Sequence, residues 1–538
     1  MRTSSLRRLA VPVAAGIVAV LLTGSGPHRP PALVLSPAGA GVELAADLDR
    51  LFTDPLLTGA QISAEVADAA TGEVLYQRSP EALMLPASTL KTVTAAAALD
   101  LLGGEHRFTT EVLVAGHRSG SDALDGDLVL RGGGDPSLLP ADLDTLARQV
   151  AQSGITSVSG AVLADASRYD GVPLGENWAW DDQPYYYSPQ ISALTMATDT
   201  DFDAGTVRLT VTPAATPGQP AEVRVTPAEA PVRLTGRIST GPAGGDYGVD
   251  VTRRLGGNEI VLAGSLPADG GAAEEWVTVE DPARVTAAVF AAALARHGVA
   301  VGHPVDAGRA PADATVLARH DSAPVADLLV PFLKLSNNAI AEHLVKEIGK
   351  VRAGSGSWQA GLAEVTAFLH RAGLDATPAR QADGSGLSRH NLMSAQRFTA
   401  LLGFARRQTW FPAWHDALPV AGDPRRMVGG TLSRRMTGTV AAGRVHAKTG
   451  SMTGADALTG YVDTTDGRTL AFTVLLNDFA GASPRAVIDR IAVRLAGGSA
   501  AAAVTPPAPQ DDPALSRTRG RLGGSTRDWE NCTEGRAC

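Results

Sequence analysis

Three short groups of residues have the types and spacings that acyl-transfer chemistry needs. Ser88-Thr89-Leu90-Lys91 sets a hydroxyl and an amine three positions apart, behind Pro86 and at the head of an alanine-rich helical stretch. On a helix that spacing puts Ser88 and Lys91 on one face, within mutual reach. The helix N-terminus adds backbone N–H groups and a field that favours a developing anion. A lysine buried beside the serine can lose its proton and serve as the base that activates the hydroxyl. A serine cap with a lysine one turn on has the same pattern. Lys448-Thr449-Gly450-Ser451 follows the alternating run "GRVHA" and precedes a second strand over 457–462. From an edge strand, a lysine and hydroxyls facing a cleft can hold a substrate carboxylate, and the glycine lets another backbone approach. An ordinary turn before a strand reads the same way. Ser336-Asn337-Asn338 lies between helical stretches in "LKLSNNAIAEHL". There a hydroxyl and an amide can relay a proton and orient a lysine, or simply cap a helix.

These groups lie far apart in the chain, so the fold must bring them together. The stretch after Val42 reads as a short helix, then two strands around a turn at Ala70-Thr71-Gly72. Residues 88–102 read as a helix closed by Gly103-Gly104. Residues 106–277 differ in texture, with many short alternating runs, frequent turn residues and no lysine. Helices are predicted over 281–297, 324–348, 358–372 and 394–407, and strands return near Val445 and over 469–477. The pattern is an α/β (α+β) body, a sheet flanked by helices, split by a long β-rich insertion. The expected division is a catalytic unit of 41–105 and 278–497, inserted β-rich domains over 106–277, and a low-complexity tail over 498–538.

Composition narrows the function. The net charge of −9 lacks the basic surplus a nucleic-acid binder uses to displace counterions. Lysine is scarce, with five in the chain (Lys91, Lys334, Lys346, Lys350 and Lys448), and two of these fall in the groups above. The only cysteines, Cys532 and Cys538, lie in the tail. The body therefore holds no thiolate nucleophile, Cys-ligated zinc or iron–sulfur cluster. At the N-terminus, Arg2, Arg7 and Arg8 precede an apolar run of 14 residues, Leu9 to Leu22, and then small residues. That is the form of an export signal within 1–40, with Ala38-Gly39-Ala40 as one acceptable cleavage site and an uncleaved anchor as the alternative. The mature protein is expected on the outer side of the cytoplasmic membrane.

In the order S-x-x-K, S-x-N, K-T-G, the three groups form the motif set of penicillin-binding proteins and serine β-lactamases. The sequence most resembles the low-molecular-mass class C penicillin-binding proteins, the D-alanyl-D-alanine carboxypeptidase/endopeptidase family S13. The stretches "PASTLKTVTAAAAL", "LRGGGDPSL", "LSNNAIAEHL", "DGSGLSRHNLMS", "WAWDD" and "LPVAG" carry the resemblance over about residues 45 to 495. The 244 residues between Lys91 and Ser336 leave room for two inserted domains, where a β-lactamase has far fewer. Two positions depart from the usual pattern: Asn337 at the middle of S-x-N, and Ser451 in place of threonine.

The resemblance implies a mechanism. Ser88 attacks the carbonyl between two terminal D-alanines of a peptidoglycan stem peptide, and Lys91 accepts its proton with help from the charge of Lys448. Ser336 passes a proton to the leaving amine while Asn338 orients Lys91 and the substrate amide. Lys448, Thr449, Gly450 and Ser451 form the wall that grips the terminal carboxylate, and the backbone N–H groups of Ser88 and Ser451 form the oxyanion hole. No metal or organic cofactor is implied, and β-lactams are expected inhibitors. Trp178, Asp181, Arg389 and Met452 match a pocket for a meso-diaminopimelate side chain, unless Trp178 and Trp180 are core aromatics of the insertion. A secreted β-lactamase or esterase and a non-catalytic wall-binding protein are the rival readings.

Overall fold

The computed structural model describes residues 38–500 except 121 and 375–377, with side chains from 43 onward. The expected export signal and the tail with Cys532 and Cys538 lie outside the described residues. The chain begins with α1 (Ala38–Leu51), followed by β1 (Gln61–Asp68) and β2 (Val74–Arg78). Their turn is the expected one: the Asp68 carboxylate accepts from the Ala70 and Thr71 amides, and Gly72 takes φ +76°. A 3₁₀ turn over Ala87–Leu90 then feeds α2 (Lys91–Leu101), whose alanines at 95–98 are wholly buried. Small side chains let this helix run through the middle of the core, against the helices that carry Ser336 and Asn338.

The insertion is nested. Its outer layer starts with β3 (Thr109–Ser119), β4 (Ala123–Arg131), α3 (Pro140–Gln152), β5 (Ser157–Val158) and β6 (Val162–Asp165). Inside it lie β7 (Thr206–Thr212), β8 (Glu222–Thr226), β9 (Arg233–Gly236), β10 (Ser239–Gly241), β11 (Gly248–Arg253), β12 (Glu259–Pro267) and β13 (Ala273–Thr278). These inner strands make two small sheets, β13-β7-β8 and one built around β12. The outer layer resumes with α4 (Pro282–Arg296), β14 (Ala300–Val301), β15 (Asp306–Ala307) and β16 (Thr315–Asp321). Strand β16 pairs antiparallel with β3, while β14 pairs parallel with β5 and β15 parallel with β6.

This pairing moves the expected boundary. The sequence reading returned the chain to the catalytic unit at 278, whereas the inserted segment runs on to about Ser322. The apolar face of α4 (Val285, Val289, Phe290, Leu294) joins the core formed by the inserted sheets. Helical periodicity says that a face is buried, not which core receives it. The chain leaves and rejoins at one point: Ser322 N donates to Phe108 O at 2.9 Å, and Phe108 N donates to Ser322 Oγ at 3.0 Å.

The catalytic unit resumes with α5 (Val325–Lys334), α6 (Asn338–Ala353), α7 (Trp358–Arg371), α8 (Ala395–Ala405), α9 (Phe411–Asp416) and α10 (Arg426–Gly429). It closes with β17 (Val445–Met452), β18 (Ala455–Asp463), β19 (Thr469–Asn477) and α11 (Arg485–Leu495). The helix predicted over 324–348 is broken, because Ser336 takes φ +59° and the chain restarts at the cap Asn337. The sheet is antiparallel throughout, in the order β17-β18-β19-β1-β2. Helices α1 and α11 cover one face, and α2 with α5–α9 covers the other. Apart from the terminal Asp463 of β18 and Thr469 of β19, every residue of these two strands is buried, as expected for inner strands covered on both faces. Among the described residues no helix is long and apolar enough to cross a membrane.

The segment 166–205, between β6 and β7, leaves the inserted sheets and crosses the catalytic helices as an arm. Asn337 fastens its far end. Its Oδ1 accepts from Ile340 N to cap α6, and its Nδ2 donates to Asp201 O, Phe202 O and Asp203 Oδ1 at 2.8–2.9 Å. Asn337→Ala removes the cap and leaves buried acceptors unmet. It should cost about 2–4 kcal/mol, read as a lower thermal midpoint by calorimetry.

Candidate active site

The 3₁₀ turn that carries Ser88 lies along the free edge of β17. Ala87, just before Ser88, takes φ +45°, and Ser88 and Lys91 are buried. Lys91 Nζ donates to Ser88 Oγ at 2.8 Å and to Ser385 O at 2.9 Å. Two glycines make the fit possible. A Cβ on Gly450 would sit 2.7 Å from Pro86 O, and one on Gly386 would sit 1.9 Å from Ala87 O.

A second hydroxyl–lysine pair stands beside the first. The left-handed Ser336 accepts from Lys448 Nζ at 2.9 Å, and Lys448 also donates to Thr449 O at 2.8 Å. Strain of this kind at a serine between two helices is uncommon away from functional sites. Thr449 Oγ1 donates to Thr431 Oγ1 at 2.8 Å. Asn338 opens α6; its Nδ2 donates to Tyr187 O at 2.7 Å, and its buried Oδ1 has no hydrogen-bond partner. The expected orienting bond from Asn338 to Lys91 is therefore not formed, because the arm takes its amide and the orphan oxygen stays free for an N–H donor.

Ser451 differs from expectation too. Its hydroxyl donates to Asp456 Oδ1 at 2.5 Å and accepts from Arg485 Nη2 at 3.1 Å. It is the cross-strand partner of Asp456 and faces it, so the hydroxyl is not turned toward a substrate carboxylate. Arg485 beside it was missed in the sequence, since one arginine at a helix start carries no signal of its own.

Of the four residues expected to form the side-chain pocket, Trp178, Met452 and Arg389 lie together beside the Ser88 turn. Trp178 and Met452 share an apolar patch with Ala87, Leu387 and Tyr187. Trp178 Nε1 donates to Asp383 Oδ2 at 3.0 Å, and its ring packs edge-on against Trp358. Arg389 donates to Thr453 O at 3.0 Å, next to Met452. Asp181 is exposed at the rim, and burial raises the pKa of its neighbour Asp182, with Asp181 adding to the rise and Arg389 opposing it. Neither tryptophan belongs to the core of the insertion: Trp178 packs on the catalytic unit, and Trp180 is 70% exposed.

A serine whose hydroxyl meets a buried lysine amine, with a second serine–lysine pair across a glycine-lined cleft, defines a serine acyl-transfer enzyme of the penicillin-binding class. The profile of the D-Ala-D-Ala carboxypeptidase 3 (S13) family matches residues 44–497. A D-alanyl-D-alanine carboxypeptidase of an Actinomadura species is 45% identical over 91% of this chain and 90% of its own. A carboxypeptidase of Mycobacterium tuberculosis is 29% identical over 87% of this chain and 88% of its own. The crystal structure of penicillin binding protein 4 of Haemophilus influenzae superposes with a TM-score of 0.72 at 25% identity, covering 84% of this chain and 98% of that one. The chain belongs to the S13 family of serine-type D-Ala-D-Ala carboxypeptidases.

Two measurements probe this geometry. Gly450→Ala should push the nucleophile turn off β17 and slow acylation by penicillin on the order of a hundredfold, measured by stopped-flow labelling. His446, two residues before Lys448, stacks on His415 at 4.6 Å with its Nδ1 unpaired. Burial, then His415 and Lys334, push its pKa from 6.5 to about 4. A neutral folded histidine with a depressed pKa contributes stability above the unfolded pKa. That contribution is lost as pH falls from 6.5 toward about 4. His446→Asn should therefore lose less stability than the parent between about pH 7 and about pH 5, read as the shift in urea midpoint.

Proposed function

We propose that Ser88 is the nucleophile and Lys91 the base of this D-Ala-D-Ala carboxypeptidase, and that the arm of the insertion selects the stem-peptide side chain. The observation that carries the reading is the bond between Lys91 Nζ and Ser88 Oγ, two buried side chains. Lys91 takes the hydroxyl proton as Ser88 Oγ attacks the carbonyl carbon of the penultimate D-alanine. The charge that forms on the carbonyl oxygen is met by the backbone N–H groups of Ser88 and Ser451. When the C–N bond breaks, the leaving D-alanine amine takes a proton through Ser336, which Lys448 already contacts. The free Oδ1 of Asn338 accepts the N–H of the substrate amide. Lys448 and Thr449 hold the terminal carboxylate, with Arg485 behind Ser451 adding positive charge. Lys91, which has passed its first proton on through Ser336, then takes a proton from the water that attacks the Ser88 ester. It returns that proton to Ser88 Oγ as the ester C–O bond breaks and the acid product leaves. A β-lactam enters the first half of this path and stays as the ester.

In the pocket, Trp178 and Met452 pack the aliphatic part of a meso-diaminopimelyl side chain, Arg389 pairs with its carboxylate and Asp181 with its ammonium. The same site should also cut D-alanyl–meso-diaminopimelate cross-links, whose leaving amine shares its carbon with a carboxylate as that of D-alanine does. The basic and apolar N-terminal run supports export of the chain to the outer side of the cytoplasmic membrane.

Ser88→Ala should abolish labelling by fluorescent penicillin with the fold retained; persistent labelling would remove Ser88 as nucleophile. Of two stem peptides, one with a free diaminopimelyl centre and one with that amine acetylated, the free one should show about tenfold higher kcat/KM. Asp181→Ala should erase this preference and leave penicillin acylation intact.

A further inference from the structure

The loop over 383–388 meets the catalytic lysine from the side opposite Ser88, and it is held by two buried carboxylates. Ser385 O accepts from Lys91 Nζ at 2.9 Å. Ser385 N donates to Glu342 Oε1 at 2.8 Å and Gly384 N donates to Glu342 Oε2 at 2.9 Å. Trp358 Nε1 donates to the same Oε2 at 2.7 Å. Asp383 turns the loop by accepting from Gly386 N at 2.8 Å and from Ser388 N at 2.6 Å. Glu342 is wholly buried on α6, one turn after Asn338, so the helix that opens at the site also braces the loop.

The geometry points to Glu342 as a positioning residue for Lys91: by fixing the Gly384 and Ser385 amides, it holds the Ser385 carbonyl where it takes one N–H of the lysine amine. The inference rests on Lys91 being the base. A neutral amine has two N–H bonds and one lone pair. With one N–H held by Ser385 O, the amine stays at hydrogen-bond distance from Ser88 Oγ, where its lone pair takes the hydroxyl proton once the amine is neutral. Three N–H groups converge on Glu342, and a carboxylate is an acceptor only. An amide in its place sets its own N–H against one of those donors. Burial, then the nearby charge of Asp383, push the Glu342 pKa up to about 7, and the three N–H donors oppose that rise.

The test uses Glu342→Gln in the full chain, with two readouts. Acylation by fluorescent penicillin should slow at least about tenfold while KM for a D-Ala-D-Ala peptide changes by less than about twofold. Because the chain has five lysines, ¹³Cε-lysine NMR resolves each one. The midpoint of Lys91 titration should move by at least about half a pH unit, with Lys334 and Lys350 unmoved. Acylation within about twofold of the parent overturns the proposal, and so does slower acylation with an unmoved Lys91 titration, which is the mark of a merely structural carboxylate. Should Glu342→Gln not fold, Glu342→Asp, shorter by one methylene, carries the same expectations. Lys91→Ala separates the two readings. If it acylates normally, Lys91 is not the base; if it is inert while the Glu342 variants behave as the parent, only the positioning role falls.

Discussion

Burying an ammonium or a neutral amine without partners costs several kcal/mol, so each buried lysine needs oxygens placed for it. Here Lys91 and Lys448 are both fully buried. Ser88 and Ser385 meet one; Ser336 and Thr449 meet the other. Much of the local backbone follows from those four oxygens. Ala87 and Ser336 take left-handed conformations, and Gly386 and Gly450 give up their side-chain space so that the turn, the loop and the strand can close on one another.

Helix α6 joins this centre to the rest of the molecule. Its first turn carries Asn338, and its later turns grip the arm of the insertion. Glu347 accepts from Arg168 through both guanidinium nitrogens, and Lys346 donates to Asp170 Oδ1 at 2.7 Å while lying over the Trp358 ring. The arm in turn supplies Trp178 and the Tyr187 carbonyl to the site. Breaking a buried pair of this kind leaves an uncompensated charge, so the arm is held firmly rather than loosely draped.

Local signals made much of this legible in the sequence. The three-residue spacing of Ser88 and Lys91 set their mutual reach, and the helices predicted from 281 and 394 start there in the structure, capped by Asp281 and Ser394. The pocket residues came from a resemblance, and the structure brings Trp178, Met452 and Arg389 to one wall. What stayed hidden depends on tertiary context. Nothing local says that α4 joins the inserted core, that Ser336 breaks a helix by a left-handed turn, or that the Ser451 hydroxyl faces Asp456. Glu342 was equally invisible, since its partners are backbone amides more than forty positions away in the chain.

The ladder that joins Phe108 to Ser322 has a kinetic consequence. The catalytic unit is discontinuous, and closing a flexible loop of about 210 residues costs about 3–4 kcal/mol more than closing one of a few residues. Once β3 and β16 have paired, however, their outer ends lie side by side at Thr109 and Asp321. The two halves of the catalytic unit then meet as if joined by a tight hairpin. An insertion that folds first thus acts as an intramolecular chaperone for topology, converting a high-contact-order assembly into a nearly local one before Ser88 and Ser336 need to find each other.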